Sequence, residues 1–212
     1  MIRAVAARSC DSRAQPQPVW VGQANSTWPD LDIMDLGRDS GFFGKPAAQL
    51  HATTWMMARS PLFYGGDLPI TDEYTINLVT NEVALAINAH SSGLQVDYDG
   101  DCSCHAWPAA SHACKLFNNP ATEPCVATWW SSFGQCTALA VLNIGNKTAS
   151  QPTEVPIGKV VPGLPAGASR TLTSVYEGDT ATVHGIVRVS IPGMGGKLMV
   201  LSPPGVAAIN CI

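Results

Sequence analysis

Three aspartates fall within six positions, Asp30, Asp32 and Asp35, in the stretch Trp28-Pro29-Asp30-Leu31-Asp32-Ile33-Met34-Asp35-Leu36-Gly37. In an extended chain successive side chains alternate faces, so Asp30 and Asp32 are expected on one side and Leu31 and Ile33 on the other. Carboxylates grouped in this way must be solvated, hydrogen-bonded, metal-bound or functional, because unpaired buried charge is too costly to keep. Two readings stay open on spacing alone: a solvated strand-to-loop turn, or the acidic mouth of a site. A further acid, Asp67, closes Pro61-Leu62-Phe63-Tyr64-Gly65-Gly66-Asp67. An apolar run ending in two glycines and an acid has the pattern of a buried parallel strand whose C-terminal end opens into a site, with Asp67 lining the opening or capping the next turn.

A second cluster has metal-ligand character. Cys102, Cys104, His105, His112 and Cys114 crowd one stretch, yet the spacing lacks the usual Cys-x2-4-Cys knuckle of a zinc site. Disulfides in a Pro/Asn-rich excursion that also holds Cys125 are the better reading, and no metal is assigned. The total of seven cysteines leaves one over, for which Cys10 is the natural candidate.

The elements that must hold these residues fall into two groups. A helix over 46–59 opens with proline in its first turn and carries a wide apolar face, with His51 as a packing residue. Thr71-Asp72-Glu73 caps a second helix running to about 80, its acids at the positive end of the helix. Strand, helix, strand, helix is the repeat of an α/β domain. Beyond about residue 100 the chain turns to short β-rich runs, at 126–133, 136–144, 153–161, 170–176, 182–191 and 197–201, separated by Gly, Pro and Asn, which reads as an antiparallel β-sandwich. Trp129 and Trp130, adjacent on one strand, should face opposite ways, one to the core and the other to an interface or a sugar. The two parts join between about 88 and 100.

Composition narrows the partners. Only 13% of residues are charged, the net charge is -4, and no Lys/Arg cluster is interleaved with aromatics, so no nucleic-acid partner is expected. No apolar run approaches the roughly 20 residues that span a bilayer, and residues 1–10 are too short an apolar segment for a secretory signal. Two sequons, Asn25-Ser26-Thr27 and Asn146-Lys147-Thr148, together with the cysteines, favour a secreted or lumenal (lysosomal or vacuolar) setting.

On these residues the chain resembles a known family. Trp28-Pro29-Asp30-Leu31-Asp32-Ile33-Met34 is similar to the Trp-x-Asp-Pro-Asp-Met-Leu signature of glycoside hydrolase family 27, the α-galactosidase (melibiase) family. His51 to Leu68 resembles that family's helix and last barrel strand, and Leu78 to Asn88 resembles the segment that closes the barrel. Leu31 stands where proline is usual, Ile33 where methionine is usual, and Gly65-Gly66 replaces a more polar pair. Variants of this kind occur in relatives acting on α-galactosides or β-L-arabinopyranosides.

The resemblance implies the last βα units of a (β/α)8 TIM barrel followed by an antiparallel β-sandwich, an α/β plus all-β chain. Residues 1–95 would be an incomplete barrel portion and 96–212 the sandwich with its Cys-rich insertion, since a whole barrel takes about 250 residues. It further implies retaining hydrolysis of terminal α-D-galactosyl residues by two aspartates roughly 5–5.5 Å apart. Both are expected on strands upstream, so no catalytic residue is assigned within this chain and it should be inactive alone. Asp32 is expected to bind the sugar, with Ile33 as the apolar wall beside it and Asp30 and Asp67 as further lining. A carbohydrate is the implied partner, and no cofactor is implied. The alternatives are a non-catalytic carbohydrate-binding or structural β-sandwich module, or a related β-L-arabinopyranosidase.

Overall fold

The computed structural model of the chain describes residues 30–37, 44–99, 126–145, 148–149, 151–165 and 167–212. The Cys102–Cys125 cluster, Cys10, Trp28, Pro29, Asn25 and Asn146 lie outside these residues. The order of elements begins with β1 (Ile33–Met34), α1 (Lys45–Ala58), β2 (Phe63–Tyr64), α2 (Glu73–Thr80) and α3 (Glu82–His90). Strands follow: β3 (Ser92–Asp99), β4 (Val126–Phe133), β5 (Cys136–Asn143) and β6 (Thr153–Pro156), then the single turn α4 (Ile157–Val160). The chain ends with β7 (Ser169–Ser174), β8 (Thr180–His184), β9 (Ile186–Val189) and β10 (Gly195–Ser202).

Strands β1 and β2 pair in parallel, Ile33 opposite Phe63 and Met34 opposite Tyr64. The connection between them contains α1, as parallel pairing requires. The remaining strands form a six-stranded sheet in the order β3-β4-β5-β10-β7-β8 and a two-stranded sheet of β6 and β9, with every pair antiparallel. This is the α/β pair followed by the antiparallel sandwich that the sequence leads one to expect.

The centre of the large sheet is covered on both faces. Ala138, Ala140 and Leu142 of β5 alternate with Leu139 and Val141, and the two sets enter different cores. The first core lies under α1–α3, where Trp55, Met56 and Met57 of α1 meet Trp129, Leu198 and Val200. The second lies under β6, β9 and α4, where Val155, Ile157 and Val187 meet Leu139, Met199 and Leu201. All eight residues of β5 are therefore buried, and the strand reads as a continuous apolar run without visible alternation. Gly196 lets α1 close on β10, since a Cβ there would stand 2.8 Å from Leu50 Cα.

Several boundaries differ from the sequence reading. The strand expected over 153–161 stops at Pro156, where the backbone turns into α4. The strand expected over 182–191 is two strands, because Gly185 takes a positive φ of 66° and its neighbours join different sheets. The boundary expected at 95/96 falls inside β3, which pairs with β4, and the first core runs from Leu31 through Cys211 without a break there. Cys136 and Cys211 form a disulfide that ties the C-terminal turn to β5.

Candidate functional site

The local sequence builds the end of the β1–β2 pair from short-range hydrogen bonds. The amide of Leu31 donates to Oγ of the buried Ser60 at 2.9 Å, which anchors the chain entering β1. The amide of Asp32 then donates to Asp30 Oδ1 at 2.8 Å, and Asp32 takes a φ of 68°. Aspartate is among the few side chains that adopt this left-handed conformation readily, since its carboxylate stabilises such turns locally.

That turn corrects the expected alternation. Asp30 and Asp32 do not share one face of a strand, because β1 begins only at Ile33 and the left-handed residue resets the side-chain directions. Leu31 is 1% exposed, whereas Ile33, expected on the same side, is 48% exposed beside the exposed Asp32. Asp32 and Ile33 thus stand together at the surface, with Asp30 committed to the turn.

Strand β2 completes the rim. Phe63 is 59% exposed, so the strand expected to be buried lies open, because among the described residues β1 is its only pairing partner. The amide of Gly65 donates to Met34 carbonyl O at 3.0 Å. A Cβ at Gly65 would lie 2.0 Å from Ile33 Cγ2, so the missing side chain is what lets Ile33 lie across the strand end. The side chain of Asp67 makes no cap hydrogen bond to the 3-10 turn that follows and is exposed; its carbonyl accepts from Ile70 N at 3.1 Å and Thr71 Oγ1 at 2.7 Å. With the Thr71 proton so used, the 2.6 Å contact between Tyr64 and Thr71 hydroxyls is donated by Tyr64.

Ser60 and Tyr64 carry no role in the sequence reading and Thr71 only that of a helix cap, although the three fix the loop that carries Asp67. Gly37 and Gly66 were the available signal: a Cβ on either would lie 2.3 Å from Tyr64 Oη.

His51 sits below this rim. It is buried and stacked on Trp55, ring centroids 4.0 Å apart and planes within 12°. Burial lowers its pKa to about 4, against a partial upward pull from the Asp35 carboxylate. It is neutral at pH 7 and packs, as its place on the helix suggested.

The described arrangement offers exposed carboxylate acceptors at Asp32 and Asp67 and an apolar wall at Ile33. Hydroxyl binding is within its means. A pair of carboxylates flanking one bond is not formed by Asp30 and Asp32, since one of them holds the turn of the other. Among the described residues no group of three or more His, Cys, Asp or Glu is placed to hold a metal.

No protein-family model matches the chain. In sequence it is 27% identical over 139 residues to an α-galactosidase of Oryza sativa subsp. japonica, a match covering 63% of this chain and 33% of the relative. The α-galactosidase 2 of Arabidopsis thaliana is 28% identical over 121 residues, 54% of this chain and 30% of the relative. The chain resembles glycoside hydrolase family 27. It spans about a third of the length of these curated relatives. Solved structures agree on the fold. A family 27 β-L-arabinopyranosidase from Geobacillus stearothermophilus superimposes with a TM-score of 0.62 at 21% identity, covering 85% of this chain and 38% of that one. The α-galactosidase I of Mortierella vinacea gives a TM-score of 0.61 at 16% identity, with 85% and 41% covered.

Proposed function

We propose that this chain forms the C-terminal part of a family 27 glycosidase that removes terminal α-D-galactosyl residues. The observation that carries the reading is the parallel β1–β2 pair with Asp32 and Ile33 exposed together at the start of β1, in sequence resembling the family's signature. In this reading the barrel portion, expected over 1–95, ends before β3, and the sandwich begins with that strand. Asp32 accepts hydrogen bonds from sugar hydroxyls, Ile33 contacts an apolar patch of the ring, and Asp30 and Asp67 line the opening. No metal or cofactor takes part.

The retaining reaction needs a nucleophile and an acid/base on either side of the anomeric carbon, roughly 5–5.5 Å apart. We place both on strands that would precede β1, so the 212 residues alone bind or shape the substrate without cleaving it. An assay with an aryl α-galactoside tests this: no turnover is expected, and turnover by the isolated chain would overturn the placement of the acids.

The disulfide between Cys136 and Cys211 supports a secreted or lumenal setting, because such bonds persist in oxidising compartments. No described helix is long and apolar enough to cross a membrane. A second reading, a β-L-arabinopyranosidase, is favoured by the likeness to the Geobacillus stearothermophilus structure. Comparing aryl α-galactoside with aryl β-L-arabinopyranoside in a complete enzyme separates the two. A non-catalytic sandwich module would cleave neither.

A further inference from the structure

The face of the large sheet turned away from α1–α3 carries an aromatic side chain that the core only partly covers. Trp129 is 5% exposed in the core under the helices, while its neighbour Trp130 points the other way and is half-buried at the margin of the second core. Polar side chains surround it. Gln95, on the edge strand β3, lies directly across from Trp130, and Asp97 lies two residues further on the same face, across from Thr128. Lys159 of α4 pairs through Nζ with Asp97 Oδ2 and stands 5.8 Å from the centre of the Trp130 ring. Gln95 is exposed, and the Lys159 and Asp97 side chains are 46% and 48% exposed.

We propose that Trp130, Gln95, Asp97 and Lys159 form a second carbohydrate-binding site that takes a terminal galactopyranosyl residue. A pyranose has an apolar C–H face and a rim of hydroxyls. An indole anchored on a sheet strand offers a rigid apolar surface for the first at little conformational cost, once the Lys159 ammonium that lies over its ring turns aside. An amide, a carboxylate and an ammonium supply donors and acceptors of both kinds for the second. The Asp97–Lys159 pair is so exposed that it contributes little to stability, and its members can turn to sugar hydroxyls without leaving a buried charge unpaired. In a galactose-type ring the axial 4-hydroxyl leaves three C–H groups together on one face, which suits a single aromatic platform. The choice of a galactosyl residue rests on the glycosidase reading above; the position of the site does not.

The test is a titration of the intact 212-residue chain with an α-galactosyl-substituted mannotriose, following the backbone amide resonances of Gln95, Asp97 and Lys159, with maltotriose as control. Saturable shifts with the galactosylated sugar alone are expected. Trp130→Ala should abolish them, Trp130→Phe should keep part of them, and Lys159→Met, a change on an exposed side chain that spares the fold, should weaken binding about tenfold. No saturable shift in the parent chain, equal shifts with maltotriose, or binding unchanged by Lys159→Met and Trp130→Phe would overturn the proposal. Hydrolysis by a complete enzyme carrying Trp130→Ala should be unchanged on an aryl galactoside, so loss of the second site and failure of the glycosidase reading give different results.

Discussion

The backbone amide of Asp32 donates to the carboxylate of Asp30, and this one bond separates the two acids that the sequence sets side by side. It holds Asp32 left-handed and turns Ile33 outward next to it. Replacing Asp32 by Gly or Asn should preserve the turn, because both adopt positive φ with little strain, whereas a β-branched Val should disturb it. Chemical-shift changes reaching Ile33 and Gly65 only in the Val variant would bear this out.

Acid should weaken the fold through His51. Its folded pKa of about 4 lies below the unfolded value of 6.5, so the unfolded state takes up the proton first. The contribution is fully present above pH 6.5 and is lost as pH falls toward 4, by about 3 kcal/mol in all. Urea denaturation at pH 7 and pH 4.5 should show the loss, and His51→Phe should flatten that part of the profile while keeping the stack on Trp55.

Reduction should cost more than any single surface change. Cys136 and Cys211 are 75 residues apart in sequence, and cross-linking a loop of that size is worth about 4 kcal/mol by chain entropy. The double variant Cys136→Ser with Cys211→Ser should unfold at correspondingly lower denaturant, and adding a thiol reductant should shift the parent chain in the same direction.

Asn88 should prove a structural residue. Its amide donates to Trp55 O at 3.1 Å and Ser60 O at 3.0 Å, satisfying carbonyls at the end of α1 and just beyond it, while Arg59 Nε donates to the Asn88 carbonyl. Asn88→Ala leaves those two carbonyls without this donor and should cost about 2 kcal/mol, read as a drop in melting temperature. Asn88→Asp should not rescue it, since a carboxylate has no N–H to give.

Much of the fold is legible in the sequence because it is written in local chemistry. Pro46 in the first turn marks α1, Asp72 caps α2 by accepting from Thr75 N at 2.7 Å, and the apolar run of β5 marks a strand covered on both faces. Trp129 and Trp130 part to opposite faces as adjacent strand residues must. What could not be read depends on residues far apart in the chain. Gly185 looks like any turn glycine until the pairing of β9 with β6 shows that it moves the chain between sheets. At the candidate site, Asp32 and Ile33 are assigned a sugar-binding role by resemblance alone; the conformation that brings them together is set by the hydrogen bond to Asp30, and alternation puts them on opposite sides.

On the proposed reading, this chain supplies the sugar-facing end of a family 27 site and not its catalytic acids. The deciding measurement replaces the corresponding region of the rice α-galactosidase with a segment of this chain that includes Asp32 and follows hydrolysis of an aryl α-galactoside. A folded hybrid is expected to turn over substrate, and Asp32→Ala in it to lower kcat/KM about 10- to 100-fold through the lost charge-assisted hydrogen bond. A folded hybrid without turnover, or one indifferent to Asp32→Ala, would contradict the account, as would turnover by the 212 residues alone.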